Sequence, residues 1–104
     1  MIRFDTVFRA LAIVAALTGV ARAEGDTLKI VALGDSLTAG YQLPPEAAFP
    51  VQLEAALRAR GHAVEVVNAG VSGDTTSGGL ARLDWSVGED ADAVIVELGA
   101  NDAL

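Results

Sequence analysis

The sequence predicts an α/β fold with a parallel sheet, laid down in the order β-α-β-α-β. Three observations carry that prediction. Short apolar runs at residues 28–33, 63–68 and 93–98 have the length and composition of strands. The segments between them are long enough to hold helices, as parallel, right-handed crossovers require. Each run also ends in a glycine-bearing turn, at residues 34–40, 70–73 and 99–102. In a parallel sheet those turns share one edge, at the carboxyl ends of the strands, where ligands bind.

The first strand is apolar on both faces apart from Lys29, and a turn from Gly34 to Gly40 follows it. An irregular stretch through Tyr41, Pro44 and Pro45 leads to a helix starting near Pro50, a residue suited to a first helical position. Phe49, Leu53 and Leu57 recur every four residues as its expected buried stripe. Arg58 and Arg60 suit its last turn, and Gly61 its stop. Val64, Val66 and Val67 form the second strand. A second helix is expected next, capped by Asp74, Thr75 or Thr76, with Leu80, Leu83 and Val87 inward and Trp85 as packing. An acidic link at residues 89–92 precedes the third strand.

The chain has 104 residues, 52% apolar and 20% charged, enough for one folded domain. Its formal charge is −7, and residues 24–104 alone carry 13 acids against 4 bases, a net of −9. That surface offers no footprint for a phosphate backbone, so nucleic acid is not an expected partner. The absence of cysteine removes disulfides, thiolate metal sites and cysteine nucleophiles.

Residues 1–23 read as a secretory signal peptide. Arg3 and Arg9 precede an uncharged stretch from Ala10 to Ala21, and Ala21-Arg22-Ala23 is a small-x-small cleavage site. The uncharged stretch of 12 residues is too short for a hydrocarbon core of roughly 30 Å. Cleavage after Ala23 is expected to give a periplasmic or secreted protein starting at Glu24, with no stable membrane insertion.

Ser36, just past a strand in a glycine-flanked turn, is a candidate nucleophile. Ester hydrolysis by serine needs a base and donors for the developing oxyanion. The Ser36 N–H, the Gly70 N–H and the Asn101 side-chain amide are candidate donors at one sheet edge. Asp35 and Asp102 are expected to brace their turns, and Asp74 to cap a helix. Glu97, in an apolar strand, calls for a partner if buried.

Three blocks in order, Gly34-Asp35-Ser36-Leu37, Asn68-Ala69-Gly70-Val71-Ser72-Gly73-Asp74 and Gly99-Ala100-Asn101-Asp102, resemble the SGNH (GDSL) hydrolase superfamily. Within it the chain resembles the bacterial arylesterase, acyl-CoA thioesterase I and lysophospholipase branch. The resemblance implies a three-layer α/β/α, flavodoxin-like fold and cleavage of acyl esters or thioesters. It makes Ser36 the nucleophile and Ser36 N–H, Gly70 N–H and Asn101 the oxyanion hole. No metal or organic cofactor is implied.

The family's fourth block, Asp-x-x-His, has no counterpart in the sequence. The single histidine, His62, precedes the second strand and so falls at the amino ends, a strand length of roughly 20 Å from Ser36. The expectation is an N-terminal part of an SGNH domain at residues 24–104, a fragment or truncated product with little activity alone. Strand order 2-1-3 would also leave Val94-Ile95-Val96 on an open edge. An α/β-hydrolase elbow is disfavoured because Thr38 stands where Gly-x-Ser-x-Gly needs glycine. A non-catalytic small-ligand or phosphate-binding module is the alternative. It lacks Gly-Lys-Ser/Thr, and the sequence places no basic residue near the three turns.

Overall fold

A computed structural model describes residues 26–104. The signal peptide expected at residues 1–23 lies outside the described residues.

Three parallel strands, β1 (Leu28–Gly34), β2 (Val64–Gly70) and β3 (Ala93–Glu97), form one sheet in the order β2-β1-β3. The register pairs Gly34 with Gly70 on one side and with Glu97 on the other, so all three carboxyl ends come level. The strands follow the apolar runs, and β1 and β2 extend into their glycines, which pair as strand residues.

Alternation along β1 divides its residues between two faces. Ala32 packs with Val64 and Val66, and Leu28, Ile30, Leu53 and Leu57 gather round them under helix α2 (Phe49–Ala59). Val31 and Leu33, 1% and 2% exposed, belong to the other face, which helices α3 (Thr76–Ala81) and α4 (Leu83–Val87) partly cover. The result is the expected α/β/α layering.

Some expectations about the helices hold and others change. Helix α2 does start near Pro50, at Phe49, and with Pro50 buried the inward arc is Pro50, Leu53, Glu54 and Leu57. Phe49 falls at its margin, 43% exposed. Gly61 does stop the helix, at φ +89°, while Gly61 N–H donates to Arg58 O and His62 N–H to Leu57 O.

The second helix is two short ones, broken at Arg82. Its inward positions are held by Gly79, which Leu98 approaches so closely that a Cβ would lie 2.4 Å from Leu98 Cδ1, and by Arg82 itself. Leu83 and Val87 are half-buried as expected, Leu80 is 73% exposed at the rim of an apolar cleft, and Trp85 is 76% exposed rather than packed. Beside α3, an apolar cleft of about 320 Å³ opens between Leu33, Gly79, Leu83, Val96 and Leu98. The outer edge of β3 pairs with no described strand, and Val94 and Val96 are exposed. Among the described residues no helix is long and apolar enough to cross a membrane.

Candidate active site

The turn after β1 is a single turn of helix, α1 (Ser36–Ala39). Asp35 caps it, its Oδ1 accepting from Leu37 N–H at 3.0 Å, and Gly40 closes it at φ +87°, where glycine is favoured. Ser36 is thus the first helical residue. The first N–H groups of a helix have no partner within it. Thr38 and Ala39 donate to Asp35 O, whereas the Ser36 N–H is used by no hydrogen bond of the described residues. The serine expected as nucleophile therefore presents a hydroxyl and an open donor together.

Glu97 supplies the strut beneath this turn. Its Oε1 accepts from Asp35 N–H at 3.2 Å and from the Thr38 hydroxyl at 2.8 Å. That is the partner a carboxylate in an apolar strand requires. Gly34 makes the contact possible: a Cβ there would lie 2.1 Å from Thr38 Oγ1 and 2.8 Å from Glu97 O. Asp35 is fully buried, and its Oδ2 has no hydrogen-bond partner among the described residues.

Gly70 lies at the expected edge but is differently employed. Its N–H donates to Asn68 Oδ1 at 2.9 Å, so that donor is engaged inside the protein. Asn68 Nδ2 in turn donates to Ala39 O at 3.3 Å, fastening the end of α1 to β2. A Cβ on Gly70 would lie 2.3 Å from Ala39 N and 2.6 Å from Ala39 Cα. Glycine at this position is explained by the backbone of α1 resting on it. Further along, the turn from Val71 to Asp74 puts Gly73 at φ +85°, and no hydrogen bond of the described residues takes the Gly73 N–H.

The third turn is drawn onto the second. Asn101 Nδ2 donates to Asp74 O at 2.8 Å, which occupies one N–H of its amide and leaves the other. Asp102 accepts from both the Thr76 N–H and the Thr76 hydroxyl. The hydroxyl bond first, and the backbone bond second, hold the Asp102 carboxyl below its ordinary value of 3.8. Thr75, not Asp74, caps α3, accepting from Gly78 N–H at 3.1 Å.

Asp74 instead pairs with Arg82, and here the sequence reading is overturned: a basic residue does stand among the turns. Arg82 Nε donates to Asp74 Oδ2 at 2.7 Å and Nη2 to Gly34 O at 3.0 Å. Arg82 is the only Lys or Arg between Gly61 and Leu104. A lone cation in an acidic segment, between Leu80-Ala81 and Leu83, was the available signal. His62 stays at the opposite end, between α2 and β2. Among the described residues no three His, Cys, Asp or Glu side chains gather as a metal site.

This geometry places the chain among α/β proteins that present a serine to ligand at the carboxyl edge of a parallel sheet. The family profile described as "GDSL-like Lipase/Acylhydrolase family" matches residues 32–104. An arylesterase of Vibrio mimicus is 51% identical over 77 residues, 73% of this chain and 38% of that one. The thioesterase 1/protease 1/lysophospholipase L1 of Escherichia coli K12 is 43% identical across the whole chain and 49% of its own. The crystal structure of AlinE4, an SGNH-hydrolase family esterase, superposes with a TM-score of 0.71 at 44% identity, covering 77% of this chain and 44% of that one. The chain belongs to the GDSL-like lipase/acylhydrolase family. It spans less than half the length of these relatives.

Proposed function

We propose that this protein is a serine esterase or thioesterase of the arylesterase, acyl-CoA thioesterase or lysophospholipase type, working through an acyl-enzyme on Ser36. The observation that carries the reading is the helix start that leaves the Ser36 hydroxyl and N–H both available. Ser36 Oγ attacks the acyl carbonyl carbon and gives its proton to a base. The carbonyl oxygen takes up negative charge, and the alcohol or thiol leaves with a proton. Water then releases the acid from Ser36.

The Ser36 N–H and the second Asn101 N–H serve the oxyanion. The Gly70 N–H joins them only if Asn68 lets it go, while Gly73 offers an unused N–H on the same turn. One such donor contributes about 2.7–4 kcal/mol to the barrier reduction. No histidine lies at this edge among the described residues, so the base is assigned to a group beyond them.

A fluorophosphonate probe followed by peptide mass mapping tests the reading, with the chain joined to the portion of the Vibrio mimicus arylesterase that follows its matched segment so that a base is present. Labelling on Ser36, lost in Ser36→Ala, is expected; a label spread over other serines at equal rate sinks it. Residues 1–23 are proposed as the cleaved leader of a periplasmic or secreted protein, with Glu24 as the first residue found on N-terminal sequencing of exported material. An intact N-terminus in that material overturns the assignment.

A further inference from the structure

The Arg82 guanidinium touches two of the three turns directly and the third through one intermediate. We propose that Arg82 is a positioning residue, fixing the Asn101 amide and the base of the Ser36 turn through one buried fork. The inference rests on the reading of Ser36 as nucleophile and Asn101 as oxyanion donor.

Arg82 is only 9% exposed, although its residue type is seldom buried without a partner. All three of its nitrogens are committed: Nε to Asp74 Oδ2 at 2.7 Å, Nη2 to Gly34 O at 3.0 Å, and Nη1 to Ser86 Oγ at 3.2 Å. Gly34 is the residue before the cap of the nucleophile helix, and its carbonyl also accepts from Val71 N–H at 2.9 Å. One oxygen therefore joins the first turn to the second, with Arg82 behind it.

Asp74 extends the connection. While its carboxylate holds Arg82, its backbone carbonyl receives the Asn101 amide, and its Oδ1 accepts from Thr75 N–H. The position of Asp74 O thus sets where Asn101 aims. Rotation of Asp74 would carry the Asn101 amide with it, and a misplacement of about 1 Å costs on the order of 100-fold in rate.

Charge acts in the same direction. The ion pair has side chains 11% and 12% exposed, so little water screens it. Without Arg82, an unpaired Asp74 carboxylate would sit beside the atoms meant to stabilise an oxyanion. Lysine cannot replace the fork, because one ammonium lacks the planar geometry to bridge a carboxylate and a carbonyl in different directions.

The test uses the full chain joined to the portion of the Vibrio mimicus arylesterase that follows its matched segment, which supplies a base, with Arg82→Lys, Asp74→Asn and, as a control, Arg58→Ala. Arg58 bonds Val64 O near the amino end of β2, away from these turns. Two readouts are taken: the rate and affinity of fluorophosphonate labelling at Ser36, and the Asn101 side-chain amide resonances in ¹⁵N spectra. Arg82→Lys and Asp74→Asn are expected to slow labelling about 100-fold at unchanged probe affinity. Both should also shift or broaden the Asn101 amide signal, while Arg58→Ala changes neither. Wild-type labelling and an unmoved Asn101 signal in Arg82→Lys overturn the proposal. If the wild-type chain takes no label, the Ser36 reading fails by itself. The Asn101 signal still decides the positioning role: movement in both variants upholds it, and no movement overturns it. A variant that does not fold leaves the decision to the other.

Discussion

Glu97 carries two donors on one oxygen, and both belong to buried residues of the Ser36 turn. Glu97→Ala leaves the Asp35 N–H and the Thr38 hydroxyl without an acceptor, a loss of about 1.5–3 kcal/mol. Urea unfolding should register it, with Glu97→Gln less affected because an amide oxygen still accepts. Equal stability of all three proteins would remove Glu97 from the turn's support. Gly70 offers a sharper discrimination. Alanine keeps the N–H, so an oxyanion role alone predicts intact stability for Gly70→Ala. Contact with Ala39 backbone predicts instead a destabilisation of about 1–3 kcal/mol together with slowed labelling at Ser36. The two roles could not be told apart from sequence, since glycine answers equally to close packing and to an open donor. Ser36 was legible because strand, glycine and serine are contiguous. Arg82 was not, because its partners stand 8 and 48 residues away.

At the level of elements, the three strands were readable from apolar runs that end in glycine. Crossover length made them parallel, and their order 2-1-3 came with the flavodoxin-like sheet that the family resemblance implies. The stop of α2 was equally plain, since Gly61 adopts the left-handed conformation that the chain needs there. The pair α3–α4 was misread for a physical reason: a hydrophobic stripe marks the inward face only when apolar side chains occupy it. Here a glycine admits Leu98 and an arginine enters for its hydrogen bonds, so Leu80 reaches only the rim of the cleft and Trp85 lies outside it. The tie between α3 and the third turn yields a prediction with a definite sign. Folding lowers the Asp102 value beneath 3.8, so this carboxylate adds stability above that pH and loses it as pH falls through its lower folded value. Asp102→Asn should therefore lower the melting temperature at pH 7, and the gap to wild type should close as pH falls below 3.8 and through the lower folded value. A gap that is constant with pH would mean that the Thr76 bonds do not depend on the charge.

For the whole molecule, the described residues place no histidine at the carboxyl edge of the sheet and pair no strand with the outer edge of β3. Relatives match this chain over 38% to 49% of their own length. Fusing residues 24–104 to the portion of the Vibrio mimicus arylesterase that follows its matched segment should raise p-nitrophenyl acetate turnover about 10²–10⁴-fold over the chain alone, the usual worth of general base catalysis. Equal turnover would place the base within residues already present. The central position of β1 has a further consequence, in time rather than space. Its neighbours in the sheet are β2 and β3, and the acceptor for Asp35 N–H lies 62 residues further along the chain. At a synthesis rate of about 5–20 residues per second, the Ser36 turn is made seconds before the strut that shapes it exists. The proposed nucleophile is among the first parts of the domain to be built and among the last to be assembled, so a nascent chain carries Ser36 before the geometry proposed to make it reactive.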